Sequence, residues 1–232
     1  MKTVLLHGQS HEGSTCHLAR MLAGKLGGEA TEFFLPRDFG AFCTGCCQCF
    51  MESETKCPHY GQLAPITRAI DSADVLILAS PVYVYHAAGS MKALLDHYGW
   101  RWLVHRPEAA MFKKQAVCLS TAAGGGMGGA NKDMAHSAFW WGVGRTYRFG
   151  IAVRETCWER VNDKIKQKAE RRLSALAGRI RRRQGKVKPG IRTKAAFSVM
   201  RLAYKRGGNP ADAAYWKEKG WTGKERPWQR GR

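Results

Sequence analysis

Thr3-Val4-Leu5-Leu6-His7, running into Gly8-Gln9-Ser10-His11-Glu12-Gly13-Ser14-Thr15, is the stretch that decides the fold. The short apolar run Val4–Leu6 has the pattern of a buried strand, and it breaks at a glycine into a hydroxyl-rich loop. A helical pattern opens directly after it. In that arrangement free backbone N–H groups and Ser/Thr hydroxyls converge on one point, which makes an anion site, most naturally for a phosphate. The loop lacks G-x-x-x-x-G-K-[ST], hence the lysine that serves a nucleoside triphosphate, and it lacks G-x-G-x-x-G. What remains is a cradle for one monophosphate, or an ordinary strand-to-helix turn capped by Ser14 or Thr15.

Outward from this stretch, apolar strand patterns at Val4–Leu6, Glu32–Leu35, Val75–Ala79, Ala116–Leu119 and Phe149–Val153 alternate with helical patterns. The latter fall at Leu18–Leu26, Leu63–Ala73, Ser90–Tyr98 and Lys132–Trp141. The alternation predicts an α/β fold: a doubly wound, five-stranded parallel sheet of order 2-1-3-4-5, covered on both faces. Ligands of such sheets sit beyond the carboxyl ends of the strands, where the winding reverses. Three loops of unusual composition meet there: residues 8–15, Ser80-Pro81-Val82-Tyr83-Val84-Tyr85-His86, and Thr121-Ala122-Ala123-Gly124-Gly125-Gly126. The first suits a phosphate, the second offers a proline-shaped wall with two tyrosines, and the third lets backbone approach a flat ligand. Together they describe a site for a mononucleotide with a planar ring, a description that flavin mononucleotide (FMN) fits.

These motifs, with Cys43-x2-Cys46-x2-Cys49-x7-Cys57-Pro58 and Met91-Lys92-Ala93-Leu94-Leu95-Asp96, resemble the flavodoxin-like NAD(P)H-dependent FMN reductases over roughly residues 1–155. Within that family the chain is most similar to the branch containing the iron–sulfur flavoproteins. The resemblance implies that Ser10, Ser14 and Thr15 hold the FMN phosphate, that Pro81, Val82 and Tyr83 border the ring and ribityl chain, and that the Thr121–Gly126 loop faces the ring's polar edge. Gln9, His11, Val84 and Tyr85 complete the expected cofactor set, with Thr121, Ala122, Ala123, Gly124 and Gly125 from the third loop. Where relatives often carry Ser-Pro-Arg, this chain has Gln9-Ser10-His11, and a histidine is only partly charged at neutral pH. His86 stands beside the expected site as a candidate proton donor, or as a histidine that simply hydrogen-bonds in a loop.

Cys43, Cys46, Cys49 and Cys57, with Cys47 as a surplus thiol, lie in a loop after the second strand. Two-residue gaps let thiolates converge on one centre, as tetrahedral zinc and cubane iron–sulfur sites both require. Similar relatives ligate a [4Fe-4S] cluster here, and others keep several of the cysteines without one, so a cluster, a zinc ion and free redox-active thiols are all expected readings. Cys16, Cys118 and Cys157 fall in regular patterns, where buried inert thiols are the default.

Charge is divided unevenly. Residues 1–150 carry a net +3 and residues 151–232 a net +17 of the total +20. Val161, Ile165, Ala169, Leu173, Leu176 and Ile180 recur at helical spacing among lysines and arginines, which predicts a last helix with an apolar inner face and a cationic outer one. The pattern divides the chain into a flavodoxin-like domain, 1–183, and a basic aromatic-containing arm, 184–232. Phe197, Tyr204, Tyr215, Trp216, Trp221 and Trp228 interleave with cations in the arm. Such interleaving suits a polyanion such as nucleic acid, or an arm that buries its aromatics on its own domain or on a second subunit, which is the favoured reading.

No run approaches a membrane span, and the apolar stretch after Lys2 is too short for a signal peptide, so a cytoplasmic protein is expected. The functional expectation is an FMN-dependent oxidoreductase that takes hydride from NAD(P)H and passes electrons to a small-molecule or protein acceptor. Relatives often complete such a site across a subunit interface, which implies a homo-oligomer. Electron transfer through the cysteine cluster without nicotinamide, and polyanion binding by the arm, are the alternatives.

Overall fold

A computed structural model describes residues 1–229. In chain order its elements are β1 (Lys2–His7), α1 (Ser14–Leu26), β2 (Glu29–Phe34), α2 (Gln48–Met51), α3 (Tyr60–Ser72), β3 (Val75–Tyr83), β4 (His86–Ala87) and α4 (Gly89–Asp96). They continue with β5 (Gln115–Ala122), α5 (Met127–Trp140), β6 (Arg145–Ala152), α6 (Asp163–Arg182), α7 (Ile191–Lys205) and α8 (Pro210–Glu218). The sheet order is β2-β1-β3-β5-β6, all parallel, the doubly wound order expected from the alternation. The short β4 returns antiparallel along the end of β3, pairing Val82 with Ala87 and Tyr83 with His86.

Strand burial follows position. β1, β3 and β5, each flanked by two strands, are buried almost without interruption because helices cover both faces. Successive residues go to opposite layers: Leu76 and Leu78 join Ile66, Leu94 and Met134 on one face, while Val75 and Ile77 join Leu18, Leu22, Leu173 and Leu176 on the other. The edge strand β6 instead alternates, with Tyr147, Phe149 and Ile151 inward and Arg145 and Arg148 exposed. Those arginines hid its first half from an apolar-run reading, which starts only at Phe149. Likewise α5 begins at Met127, five residues before the expected Lys132, because Gly126 at φ 89° turns the chain directly into the helix.

The long cationic helix α6 buries Ala169, Leu173, Leu176, Ala177 and Ile180 against α1 and the sheet, the stripe its periodicity predicts. Beyond it, α7 and α8 form a third core that the sequence pattern does not resolve into elements. Phe197, Tyr204, Trp216 and Trp221 pack with Leu103 and Phe112, and Trp228 lies against Phe112 and Phe197. The arm's aromatics therefore face inward, while Lys205, Arg206, Lys217, Lys219 and Lys224 remain exposed. This is the packed arrangement, and it removes the stacking platform that polyanion binding would use.

The fastening of this arm is polar. Asp212, fully buried, accepts from His105 Nδ1 at 2.8 Å and Tyr204 Oη at 3.2 Å and pairs with Arg106. Arg106 in turn donates to the carbonyls of Cys49 and Phe50. Trp216 Nε1 donates to His105 O at 2.6 Å and Tyr215 Oη to Pro107 O at 2.8 Å. The arm, the 103–113 segment and the cysteine loop are thus one bonded unit.

Candidate functional site

The loops after β1, β3 and β5 meet beyond the strand ends around a cavity of about 350 Å³. From the first loop Gln9, His11, Ser14 and Thr15 line it; Pro81, Val82 and Tyr83 come from the second, and Thr121, Ala122 and Ala123 from the third. Five expected residues do not reach it. Ser10 points away, its Oγ accepting from Arg37 N at 3.3 Å. Val84 and Tyr85 form the exposed tip of the β3–β4 hairpin, 91% and 71% accessible, and Gly124 and Gly125 lie past the lining. Eight further residues line the cavity outside the expected set: His7, Gly8, Gly13, Cys16, Ala79, Val153, Glu155 and Thr156. Glu155 and Thr156 follow β6, so the rule that ligands sit at strand carboxyl ends already pointed to them.

At its floor, α1 begins after Gly13 with no side chain capping its first amides and no acidic residue in its first turn. Uncapped N–H groups leave the partial positive end of the helix unneutralised. Ser14, whose residue is 7% exposed, keeps a buried Oγ without a hydrogen-bond partner among the described residues. Buried hydroxyls are normally satisfied, so such an atom beside free amides marks a place for an acceptor. Thr15 Oγ1 and Thr121 Oγ1 are 2.6 Å apart, tying α1 to the end of β5. Ser90 Oγ donates to Gly8 O at 2.6 Å and holds the first loop against α4.

Beneath the loop runs a charge network. His7 Nε2 meets Glu32 Oε2 at 3.0 Å, Arg20 Nε donates to the same carboxylate, and the Arg20 guanidinium grips Glu12 with two bonds of 2.6 and 2.9 Å. The carboxylate of Glu12 raises the pKa of Arg20 above its ordinary value, with Glu32 acting in the same sense, so the guanidinium stays charged. Burial lowers the His7 imidazole despite the raising effect of Glu32, and its Nδ1 is a second unpartnered buried atom. Burial pushes the Cys16 thiol up to about 11, leaving it protonated and unreactive at neutral pH.

The hairpin wall is conformationally strained. Val84 and Tyr85 both adopt left-handed backbone, φ 48° and 66°. A two-residue hairpin turn with positive φ at both central positions normally carries Asn-Gly, and a β-branched residue there is a true outlier. Gly126 packs beneath it: a Cβ would lie 2.7 Å from Val82 Cγ1 and 3.0 Å from Tyr85 Cα.

His86 is not brought to this cavity. Its Nδ1 pairs with Asp133 Oδ2 at 3.0 Å, and it lines a neighbouring, mostly apolar groove with Phe50, Trp102 and His136. Of the other thiols, Cys118 is buried as expected, whereas Cys157 is half-buried and accepts from Arg160 Nε at 3.1 Å. In the cysteine loop Cys43, Cys46 and Cys47 are exposed and Cys49 and Cys57 half-buried. Burial, and then the neighbouring Cys57, Cys43 and Cys46, push the Cys49 thiol up to about 11. Cys57 has two imidazoles as its immediate companions, described below.

A family model described as NADPH-dependent FMN reductase matches residues 1–150. The chain belongs to this family. Its sheet is flavodoxin-like, as in the solved structures it superposes on. Among individual proteins, the FMN reductase-family chain is 35% identical over 69 residues to an iron-sulfur flavoprotein of Archaeoglobus fulgidus; the match covers 28% of this chain and 28% of that protein. Among solved structures, a flavone reductase superposes with a TM-score of 0.55 at 14% identity, over 86% of this chain and 64% of that one. An NAD(P)H:quinone oxidoreductase from Methanothermobacter marburgensis superposes with a TM-score of 0.57 at 14% identity, over 76% and 95%. At such identities the likeness is one of fold.

Proposed function

We propose that this FMN-dependent oxidoreductase holds FMN in the strand-end cavity, takes hydride from NADH or NADPH and passes electrons to a second acceptor. The observation that carries the reading is the buried, unpartnered Ser14 Oγ at the uncapped start of α1. Ser14, Thr15 and the first amides of α1 bind the phosphate; Gln9 and His11 close over it. Pro81, Val82 and Tyr83 form one wall of the ring site and Thr121, Ala122 and Ala123 the other. Bound FMN supplies the hydride and electron chemistry, and the protein's part is to bind, orient and exclude water. The cavity's mixed apolar and hydroxyl lining suits that part, with Gly126 allowing the hairpin to press against the third loop.

Titrating the purified chain with FMN and following flavin fluorescence tests the first half of the proposal: quenching that saturates at one FMN per chain is expected. Adding NADPH or NADH anaerobically should then bleach the flavin absorption. Failure to bind FMN overturns the site. Binding without bleaching by either nucleotide overturns the nicotinamide step in favour of a second reading: electron transfer through an iron–sulfur cluster held by Cys43, Cys46, Cys49 and Cys57. That reading draws on the spacing of the four cysteines in the sequence and on the resemblance to the archaeal iron-sulfur flavoprotein. Assembly into a homo-oligomer belongs to the proposal, because Tyr83, Val84 and Tyr85 leave an exposed apolar hairpin at the rim of the site.

A further inference from the structure

Three donors, two from one turn and one from a remote helix end, converge beside the cysteine loop. Cys57 closes a 3-10 turn over Glu54–Lys56, His59 caps the start of α3, and His97 follows the end of α4. One ligand atom from each, the Cys57 thiol and a ring nitrogen of each histidine, lies within 4.8 Å of both others. Cys57 and His59 are half-buried and His97 is buried. The only other such group among the described residues, His7, Cys16 and Glu32, is bound up in the network under the phosphate loop.

The histidine pair is oriented as metal ligands are. His97 Nδ1 faces Ala93 O at 2.7 Å and donates its proton there, which leaves Nε2 with a lone pair. That Nε2 stands 2.9 Å from His59 Nδ1, which donates the one proton between the two rings. The ring of Phe39 packs edge-on against His97 at 4.8 Å and against His59 at 6.5 Å, fixing both planes from behind.

We propose that Cys57, His59 and His97 form a site for a single divalent transition metal of the zinc class, separate from the flavin cavity. One thiolate and two neutral imidazoles are the donors such an ion prefers. Binding releases the thiol proton and shifts the proton between the imidazoles to the free ring nitrogen of His59, so one proton leaves as the metal enters. Three protein ligands leave the fourth tetrahedral position to a water molecule. In this arrangement the ion ties the cysteine loop to α3 and α4. The assignment also gives Cys57 to the histidines, where a four-cysteine iron–sulfur cluster would claim it.

The full-length chain, stripped with chelator and kept reduced, is titrated with Co2+ as a spectroscopic probe and then with Zn2+ in competition. One Co2+ per chain with tetrahedral ligand-field bands and a thiolate charge-transfer band is expected. Cys57→Ser, His97→Gln and His59→Gln should each weaken binding by more than about 100-fold, beyond the ~10–100-fold that loss of an outer-shell partner costs. Cys43→Ser and Cys46→Ser should leave it unchanged. His59→Gln, at the half-buried position, guards against misfolding of the His97 variant, and retained FMN binding checks each fold. The proposal is overturned if Co2+ binding is absent, if it survives the histidine changes, or if it is lost with Cys43→Ser and Cys46→Ser. It is also overturned if anaerobic iron and sulfide reconstitution yields a cluster that needs Cys57 but is indifferent to both histidines.

Discussion

The strand-end cavity and the cysteine loop lie in one molecule and are held by different means. The cavity is shaped by local backbone: a glycine after β1, an uncapped helix start, a tight hairpin. Its bonds join loop to loop, as between Thr15 and Thr121 or Ser90 and Gly8. The cysteine loop has little regular structure beyond the single turn of α2 and is held by groups remote in the chain. Arg106 grips Cys49 and Phe50, and Asp212 of α8 grips Arg106. A binding cleft shaped by strand ends needs no external support, whereas a loop without its own core depends on a buried ion pair and an aromatic arm.

The largest effect should come from Asp212→Ala. It strands a buried arginine, and removing one partner of a buried pair costs about 3–5 kcal/mol, read as a lower urea midpoint. FMN affinity should change little, since neither Asp212 nor Arg106 lines the cavity. A parallel loss of FMN binding would show that the two regions are not independent. On the cavity side, Gly126→Ala forces a methyl to 2.7 Å from Val82 at φ 89° and should cost about 1–3 kcal/mol, with weaker FMN binding because Val82 is in the lining. Unchanged affinity there would show that the hairpin does not shape the site.

Smaller effects separate binding from folding. Ser14→Ala removes a hydroxyl that no described group uses, so stability should hold while FMN affinity falls about tenfold, roughly 1.4 kcal/mol. A stability loss of that size would mean that Ser14 serves the fold. Val84→Asn should relieve left-handed strain at an exposed tip and raise stability by about 1 kcal/mol. The smallest effect is in acid. His7 takes up its proton less readily folded than unfolded, so its contribution is present above the ordinary imidazole value of about 6.5 and is lost as pH falls below it. Stability measured between about pH 7 and 5 should fall less steeply in His7→Gln.

Much of the cavity was readable in advance because it obeys local rules. Gly8 breaking a strand and Ser14 and Thr15 opening a helix are signals within a few residues of one another, and topology brings strand ends together; Pro81 lies within β3, which runs on to Tyr83. The misses are side-chain directions: Ser10 turned to Arg37, Val84 and Tyr85 turned out at the hairpin tip, and His86 turned to Asp133. A one-residue change of pleat or turn decides each of these, and composition is blind to it.

By itself the sequence determined the α/β class, the sheet order and the apolar stripe of α6, because strand and helix periods are written residue by residue, and its motifs carried the resemblance to the family. Tertiary structure alone decided that the basic arm buries its tryptophans, that Asp212 reaches Arg106 across 106 residues, and that Cys57 meets His59 and a histidine 38 residues beyond it. Those pairings depend on how helices and loops pack in three dimensions, and no periodicity along the chain encodes the distance between groups so far apart in it.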